Sequence, residues 1–334
     1  MKRIYFDNAA TTPIRKKVLK AIKPYLTKYY GNPSSLHKEG RIASKAIEDA
    51  RTKIAKILNV QANEIFFISG ASEGNSWVGK NFWLADVGNS HSSITMIPQQ
   101  TKNRPFMATA PYVESETGLC NMEGVLRLVK SLDENVHLDL TQTIPHFIPD
   151  LKELNISCAT FSGHKIGALK GCGVMYIRED MQQYFQPLIY GHQENELRGG
   201  TENVVGIVAL SVALEETVKN YDKENKRKKR IGFYIYRKLK DVVKDISLSN
   251  DIINITFNNL NAQSAVQILD KQGIAVSAGS ACVSDSDEPA EAYLARMSRE
   301  DALKTIRVSI GFKNTLHEAK KFCKILRIMV ALDD

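Results

Sequence analysis

At 334 residues the chain is longer than one minimal core requires and suits two domains, or a large domain with a smaller appendage. Apolar residues at 43% and charged residues at 25% are ordinary for a folded globular chain and exclude a long disordered tail. The formal charge of +8 gathers in KNYDKENKRKKR (219–230), whose interleaved acids read as a solvated helix face rather than a nucleic-acid patch, and no apolar run approaches a membrane span.

The amino terminus, MKRIYFDNAATTP, turns polar before a signal-peptide core forms, so a cytoplasmic protein is expected. Apolar residues recurring at spacings of three and four predict helices in RKKVLKAIKPYLTKYY (15–30) and GRIASKAIEDARTKIAKILNV (40–60). A short strand, EIFFIS, ends at Gly70, and a helix is expected from about Ala71. The apolar run in ITMIPQQTKN (94–103) marks the next strand, which puts His91 in a loop before it. VHLDL and CATFS are apolar and short enough to be buried in a parallel sheet. Beyond Val204 a long helix is expected through the basic run to about Val243. The remainder reads as strand (IINITF), helix (AQSAVQILDKQG), strand (IAVSA), loop, helix, strand (TIRVSI) and helix (TLHEAKKFCKILRIMVAL). Strands and helices alternate, so the fold class is α/β: a large domain with a mostly parallel sheet and flanking helices, plus a smaller C-terminal α/β domain. The expected division is 13–225 for the large domain, and 1–12 with 226–334 for the small one, with the active site between them.

The five cysteines, Cys120, Cys158, Cys172, Cys282 and Cys323, show neither CxxC pairing nor metal-ligand spacing with histidine, so disulfides and a metal site are not expected. Four have structural explanations: Cys158, Cys172 and Cys323 in apolar segments, and Cys120 in a loop. Cys282 stands apart in SAGSACVSDSDEP, a run of small and polar residues in which a thiol is exposed and able to act as a nucleophile.

Three segments carry chemistry. In EIFFISGASEGN, a strand, a glycine and Ser72 precede a helix, so backbone N–H groups at the helix start make a phosphate cradle; a capped strand-to-helix turn alone looks the same. In VHLDLTQT, Asp139 ends a buried strand, where parallel sheets present residues to ligands, and Gln142 follows; Asp139 alone suits a helix cap or a metal ligand equally. In ATFSGHKIGALKGCGVMYI, Ser162, His164 and Lys165 lie just past another strand end, where a lysine of lowered pKa forms a Schiff base. Cradle, acid and lysine in this order suit pyridoxal 5'-phosphate, whose ring nitrogen needs an ionised acid to act as an electron sink.

These strings, with YFDNAATTP, GNPSSLH, LRGGTEN, AVSAGSACVS and IRVSIG, make the chain resemble the cysteine desulfurases, within the class V aminotransferase group of fold-type I pyridoxal-phosphate enzymes. The resemblance runs almost end to end. It implies that Lys165 carries the cofactor, Asp139 meets the pyridine nitrogen and Gln142 contacts the phenolic oxygen. Ala71, Ser72, Ser162 and His164 would hold the phosphate, and Thr201 would reach the phosphate of the other subunit of a homodimer. Arg307, a bidentate fork, would bind the carboxylate of L-cysteine, with Asn8 beside the substrate. Cys282 would attack the substrate sulfur and become a persulfide for a sulfur-acceptor protein, such as a scaffold or a thiolation enzyme.

Two departures from the family pattern stand out. The family has a Glu-His pair at the end of the strand after the phosphate cradle, its histidine stacking on the cofactor; the strand reading puts Gln99, Gln100 or Thr101 there. The chain also reaches YVESETG early, as if a helix and a strand were missing between Gln100 and Tyr112, and offers Ser115 where the family has an asparagine against the phenolic oxygen. Weak or partner-dependent activity is therefore expected to compete with full activity, since a proton-transfer histidine supplies roughly two to four orders of magnitude. A different pyridoxal-phosphate reaction, such as transamination or selenocysteine cleavage, and a non-catalytic sulfur carrier are the alternatives.

Overall fold

The computed structural model describes residues 3–87, 90–97, 104–120, 122–131, 135–279, 293 and 295–332. In chain order the first elements are β1 (Ile4–Tyr5), α1 (Lys16–Thr27), α2 (Lys38–Leu58), β2 (Ile65–Ile68), α3 (Ala71–Asn81), β3 (Trp83–Asp86), α4 (Ser92–Thr95) and β4 (Phe106–Pro111). There follow α5 (Met122–Ser131), β5 (Val136–Asp139), α6 (Leu151–Leu154), β6 (Cys158–Ser162), β7 (Gly173–Ile177) and α7 (Val204–Leu239). The last are β8 (Asp245–Ser249), β9 (Ile252–Thr256), α8 (Ala262–Lys271), β10 (Ile274–Ala275), a helix Arg299–Leu303, β11 (Thr305–Ser309) and a helix Leu316–Ala331. They form two compact units, one of residues 13–112 and 121–219, the other of 1–12, 113–120 and 220–334.

The larger unit is built on a six-stranded sheet of order β2-β7-β6-β5-β4-β3. Only β7 runs antiparallel to its neighbours; β3, β4, β5 and β6 pair in parallel. Strands β2, β5, β6 and β7 are buried at every residue, which explains why they read as continuous apolar runs rather than alternating ones. Helix α2 packs Ile47, Ala50, Ile54 and Leu58, a three-and-four spacing, into the core, and Asn59 ends it in the left-handed region at φ 58°.

Two strands differ from the sequence reading. WLAD, immediately after α3, is β3, and FMATAP is β4, pairing with β3 on one side and β5 on the other, so the sheet has no gap in the shortened interval. The apolar run ITMI is not a strand. Ile94 is buried in the short helix α4, and Ile97 lies so close to Gly79 of α3 that a Cβ there would meet its Cδ1 at 2.3 Å. His91 therefore follows the strand instead of preceding it.

The smaller unit pairs β11, β9 and β8 in an antiparallel sheet, and β1 with β10 in parallel. Its core joins Phe6, Ile253, Ile255, Phe257, Val308 and Phe322. The helix Leu316–Ala331 opens with a capping box between Thr315 and Glu318. Helix α7 gives Ile207, Leu210 and Leu214 to the core of the larger unit and Ile231, Ile235 and Leu239 to that of the smaller one. The basic run lies on α7, where Lys226, Lys229 and Arg230 are exposed as expected, but Lys228 is buried against Asp251 at 2.5 Å. Among the described residues no helix is long and apolar enough to cross a membrane.

Candidate active site

The larger unit brings the ends of β2, β5 and β6 to the start of α3. The Ala71 N–H donates to Ser162 Oγ at 2.8 Å, which ties the first turn of α3 to the end of β6, with Ser72 exposed beside it. Close approach here demands glycine: a Cβ on Gly173 would stand 2.8 Å from Gly70 Cα, and one on Gly74 would stand 2.3 Å from Thr160 Cγ2. Helix α3 thus lies directly on β6. The Ala71 N–H is thereby spent on Ser162, and the start of α3 still presents the positive end of the helix dipole, which favours an anion.

That close packing lowers Asn75, fully buried, onto the sheet. Asn75 Nδ2 donates to Asp139 Oδ2 at 2.9 Å and to Ser93 Oγ at 2.8 Å, while its Oδ1 accepts from the Thr160 hydroxyl at 2.7 Å. Asp139 ends β5, and the Thr141 N–H donates to its Oδ1 at 2.9 Å. Burial pushes the Asp139 carboxyl up, but hydrogen bonds from Thr141 and Asn75 outweigh it and hold the group below the usual carboxylate range; His91, when protonated, adds to this. His137, two residues earlier on β5, lies 2.9 Å from Thr109 Oγ1 through Nδ1 and 3.3 Å from Thr160 Oγ1 through Nε2. Burial pushes this imidazole down to about 4, so it is neutral at physiological pH.

Past β6, Gly163, His164 and Lys165 form a single 3-10 turn, and Ile166 O accepts from Arg15 Nε at 2.8 Å. Gly167 holds φ +90° against the Arg15 side chain, a conformation that keeps the turn tight. His164 and Lys165 are half-buried; burial first, then the charges of Lys165 and Lys170, push the His164 imidazole down to about 4. On the other side of Asp139, Gln142 Oε1 and the hydroxyls of Thr141 and Thr143 are buried with no hydrogen-bond partner among the described residues. Buried polar atoms left over in a folded protein mark a place for another polar group.

Thr201 is exposed in the segment 190–203, which is anchored at both ends. Arg198 pairs with Glu73 of α3 at 2.9 Å, and Glu194 receives both Arg51 Nη1 at 2.9 Å and Nη2 at 2.7 Å. Gly199 is required, because a Cβ there would meet Tyr190 O at 2.2 Å.

The smaller unit holds Arg307, Ser115 and Asn8. Arg307 on β11 is 1% exposed; its Nη1 donates to Ser115 O at 2.8 Å, its Nη2 lies 3.4 Å from Asp7, and its Nε has no partner among the described residues. The Ser115 hydroxyl donates to Glu116 at 2.7 Å. Asn8 Nδ2 is used within the fold, donating to Tyr5 O at 3.2 Å, Ser309 O at 2.9 Å and Asn314 Oδ1 at 3.1 Å. Cys282, Gln99, Gln100 and Thr101 lie outside the described residues. Among the other cysteines Cys120 is exposed, while Cys158, Cys172 and Cys323 are buried, with burial pushing all three thiols up and those of Cys172 and Cys323 to about 12. They are inert at neutral pH.

The sequence reading missed Asn75, Ser93 and His137, and set His91 aside. His91 caps α4, its Nδ1 2.9 Å from Ser93 Oγ and accepting from the Ser93 N–H at 3.1 Å, so Ser93 bridges it to Asn75.

A family described as Aminotransferase class-V matches the chain over residues 4–97 and 85–322. A cysteine desulfurase IscS of Dictyoglomus turgidum is 32% identical over 99% of this chain and 95% of that protein. Among solved structures, a NifS-like protein has a TM-score of 0.89 at 28% identity, covering 99% of this chain and all of that one. A structure of SspA in complex with cysteine has a TM-score of 0.76 at 26% identity, covering 92% of this chain and 98% of that one.

Proposed function

Because the chain belongs to the class V aminotransferase family and, within it, to the cysteine desulfurases, we propose that it takes sulfur from L-cysteine, releasing L-alanine and leaving a persulfide on Cys282 for an acceptor protein. The observation that carries the reading is Asp139, held as an anion at the end of β5 in the unit that also presents Lys165 and the start of α3. The leftover polar atoms of Thr141, Gln142 and Thr143 fit the rim of a pyridoxal phosphate that needs hydrogen-bonding neighbours.

When bound, pyridoxal phosphate supplies an electron sink for the substrate α-carbon. Asp139 would keep the ring nitrogen protonated, Gln142 would orient the ring, and Ser72 at the start of α3, with Ser162 and His164, would hold the phosphate. The neutral His164 leaves this anion to the helix dipole and to hydrogen bonds. Lys165 would hold the cofactor covalently, and its amine is the group that would move a proton at the substrate α-carbon. Arg307 grips the substrate carboxylate, with Ser115 O and Asp7 aligning its guanidinium. The Cys282 thiolate attacks the substrate Sγ; the S–S bond forms as C–S breaks, and the carbon keeps the electron pair and takes a proton to become alanine. No external oxidant enters.

His91 belongs to this set. It follows β3, the position at which the family histidine stacks and transfers protons, which supports His91 in that role and leaves Ser115 as the departure that favours weak activity. In this reading the unit of 13–112 and 121–219 binds the cofactor, where the sequence division had 13–225, and the unit of 1–12, 113–120 and 220–334 includes Ser115 and the cysteine segment. Thr201, exposed on its anchored loop, reaches the partner's phosphate in a cytoplasmic homodimer. The neighbour solved with cysteine supports the substrate. The test is to incubate the protein with pyridoxal phosphate and cysteine: wild type yields alanine with a persulfide mapped to Cys282, and no alanine from cysteine sinks the reading.

A further inference from the structure

Five buried groups of the larger unit form a chain whose hydrogens are fixed by its last member. Asp139 is an anion and only accepts, so the Asn75 atom 2.9 Å from it is the amide nitrogen. Asn75 Oδ1 then faces Thr160 and must accept its hydroxyl proton at 2.7 Å. Thr160 Oγ1, having given its proton away, accepts from His137, which therefore carries hydrogen on Nε2. A neutral ring with Nε2–H has a bare Nδ1, and Thr109 donates to it at 2.9 Å. The other branch follows the same logic. The second Asn75 N–H goes to Ser93 Oγ at 2.8 Å, which sends the Ser93 hydroxyl proton to His91 Nδ1 at 2.9 Å, where the Ser93 N–H also points. Thr109, His137, Thr160 and Asn75 are each 0% exposed, so no water competes for these positions.

We propose that Asn75 is a positioning residue, given its orientation by His137 through Thr160, and that it sets two groups at once: Asp139 as an acceptor, and His91 with a bare Nδ1 and its proton on Nε2. The inference rests on the reading that Asp139 and His91 face the cofactor ring. Reversing the chain would turn the Asn75 carbonyl onto the Asp139 carboxylate, where it can only repel the charge that the ring nitrogen needs. A neutral His137 has one N–H and two possible tautomers, so Asp139 selects the direction, and the Nε2–H that results faces Thr160 and keeps Asn75 from turning over.

The first test needs no cofactor. Histidine-selective 13C and 15N labels in the cofactor-free full-length protein report the tautomer of each ring: His137 and His91 are both expected as Nε2–H, and Nδ1–H at either overturns the proposal. The second compares two near-isosteric variants. The amide of His137→Gln places a donor where Nε2 stood, while that of His137→Asn places it where Nδ1 stood. With both variants folded by circular dichroism, the dissociation constant for pyridoxal phosphate stays within about threefold of wild type for His137→Gln and rises roughly tenfold or more for His137→Asn, the weight of one hydrogen bond to a charged group. Equal constants for the two overturn the relay. A wild type that binds no pyridoxal phosphate refutes the functional reading instead, and leaves the tautomer result standing.

Discussion

Replacing Arg51 by Met isolates a buried charge, and the cost follows from the geometry around it. Glu194 has a side chain 2% exposed and accepts three hydrogen bonds: two from Arg51, at 2.9 and 2.7 Å, and one from the Phe67 N–H at 2.8 Å. These contacts hold Glu194, Asn195 and Glu196 at φ 50°, 56° and 64°, three successive residues in the left-handed region, each costing about 1–2 kcal/mol. Without Arg51 the carboxylate, 2% exposed, keeps a single donor, and a buried pair broken on one side costs about 3–5 kcal/mol. The double variant Arg51→Met/Glu194→Gln removes the charge and retains an acceptor for Phe67, so it recovers at least about half of that loss. Urea unfolding at pH 7, followed by circular dichroism, reads both. A loss under about 1 kcal/mol for the single variant, or a double variant no more stable than the single, refutes the reasoning.

Acid should weaken the fold early, because burial holds His137 and His164 near 4 in the folded chain, against the ordinary histidine value of 6.5. The unfolded chain then takes up protons first, so stability is full above about pH 6.5, falls as pH drops towards 4, and loses nothing further from these groups below that; His137 alone accounts for on the order of 3 kcal/mol. A urea midpoint flat from pH 7 to 4.5 contradicts this. Asp139→Asn leaves the Asn75 and Thr141 donors without an anion and is expected to lower alanine release about a hundredfold or more, in line with other preorganised electrostatic groups. Steady-state assays with saturating pyridoxal phosphate read this, and near-wild-type turnover removes Asp139 from the account.

Much of the fold was legible where one physical signal dominated. VHLDL and CATFS are buried on both faces, so their apolar runs read directly as sheet interior, and Asp139 and Lys165 stood out as candidates because Asp139 ends one strand and Lys165 closely follows another. β3 and β4 were not legible. WLAD follows a helix with no turn residue between them, and FMATAP mixes small and hydroxyl residues between prolines. ITMI misled by composition: its isoleucines are three apart because they pack onto α3, a helical spacing too short to assert itself over one turn. That single error moved His91 to the wrong side of a strand. Asn75 and His137 escaped for a different reason. A buried relay has no periodicity, and its partners are distant in the chain, Thr160 lying 85 residues from Asn75.

The central claim is the covalent attachment of the cofactor to Lys165. Borohydride reduction of the protein loaded with pyridoxal phosphate, followed by peptide mass mapping, tests it without reference to turnover. The account predicts a pyridoxyl-phosphate mass on Lys165 and loss of the visible absorbance on reduction. A loaded wild type that stays colourless, or a label that maps to another lysine, contradicts it.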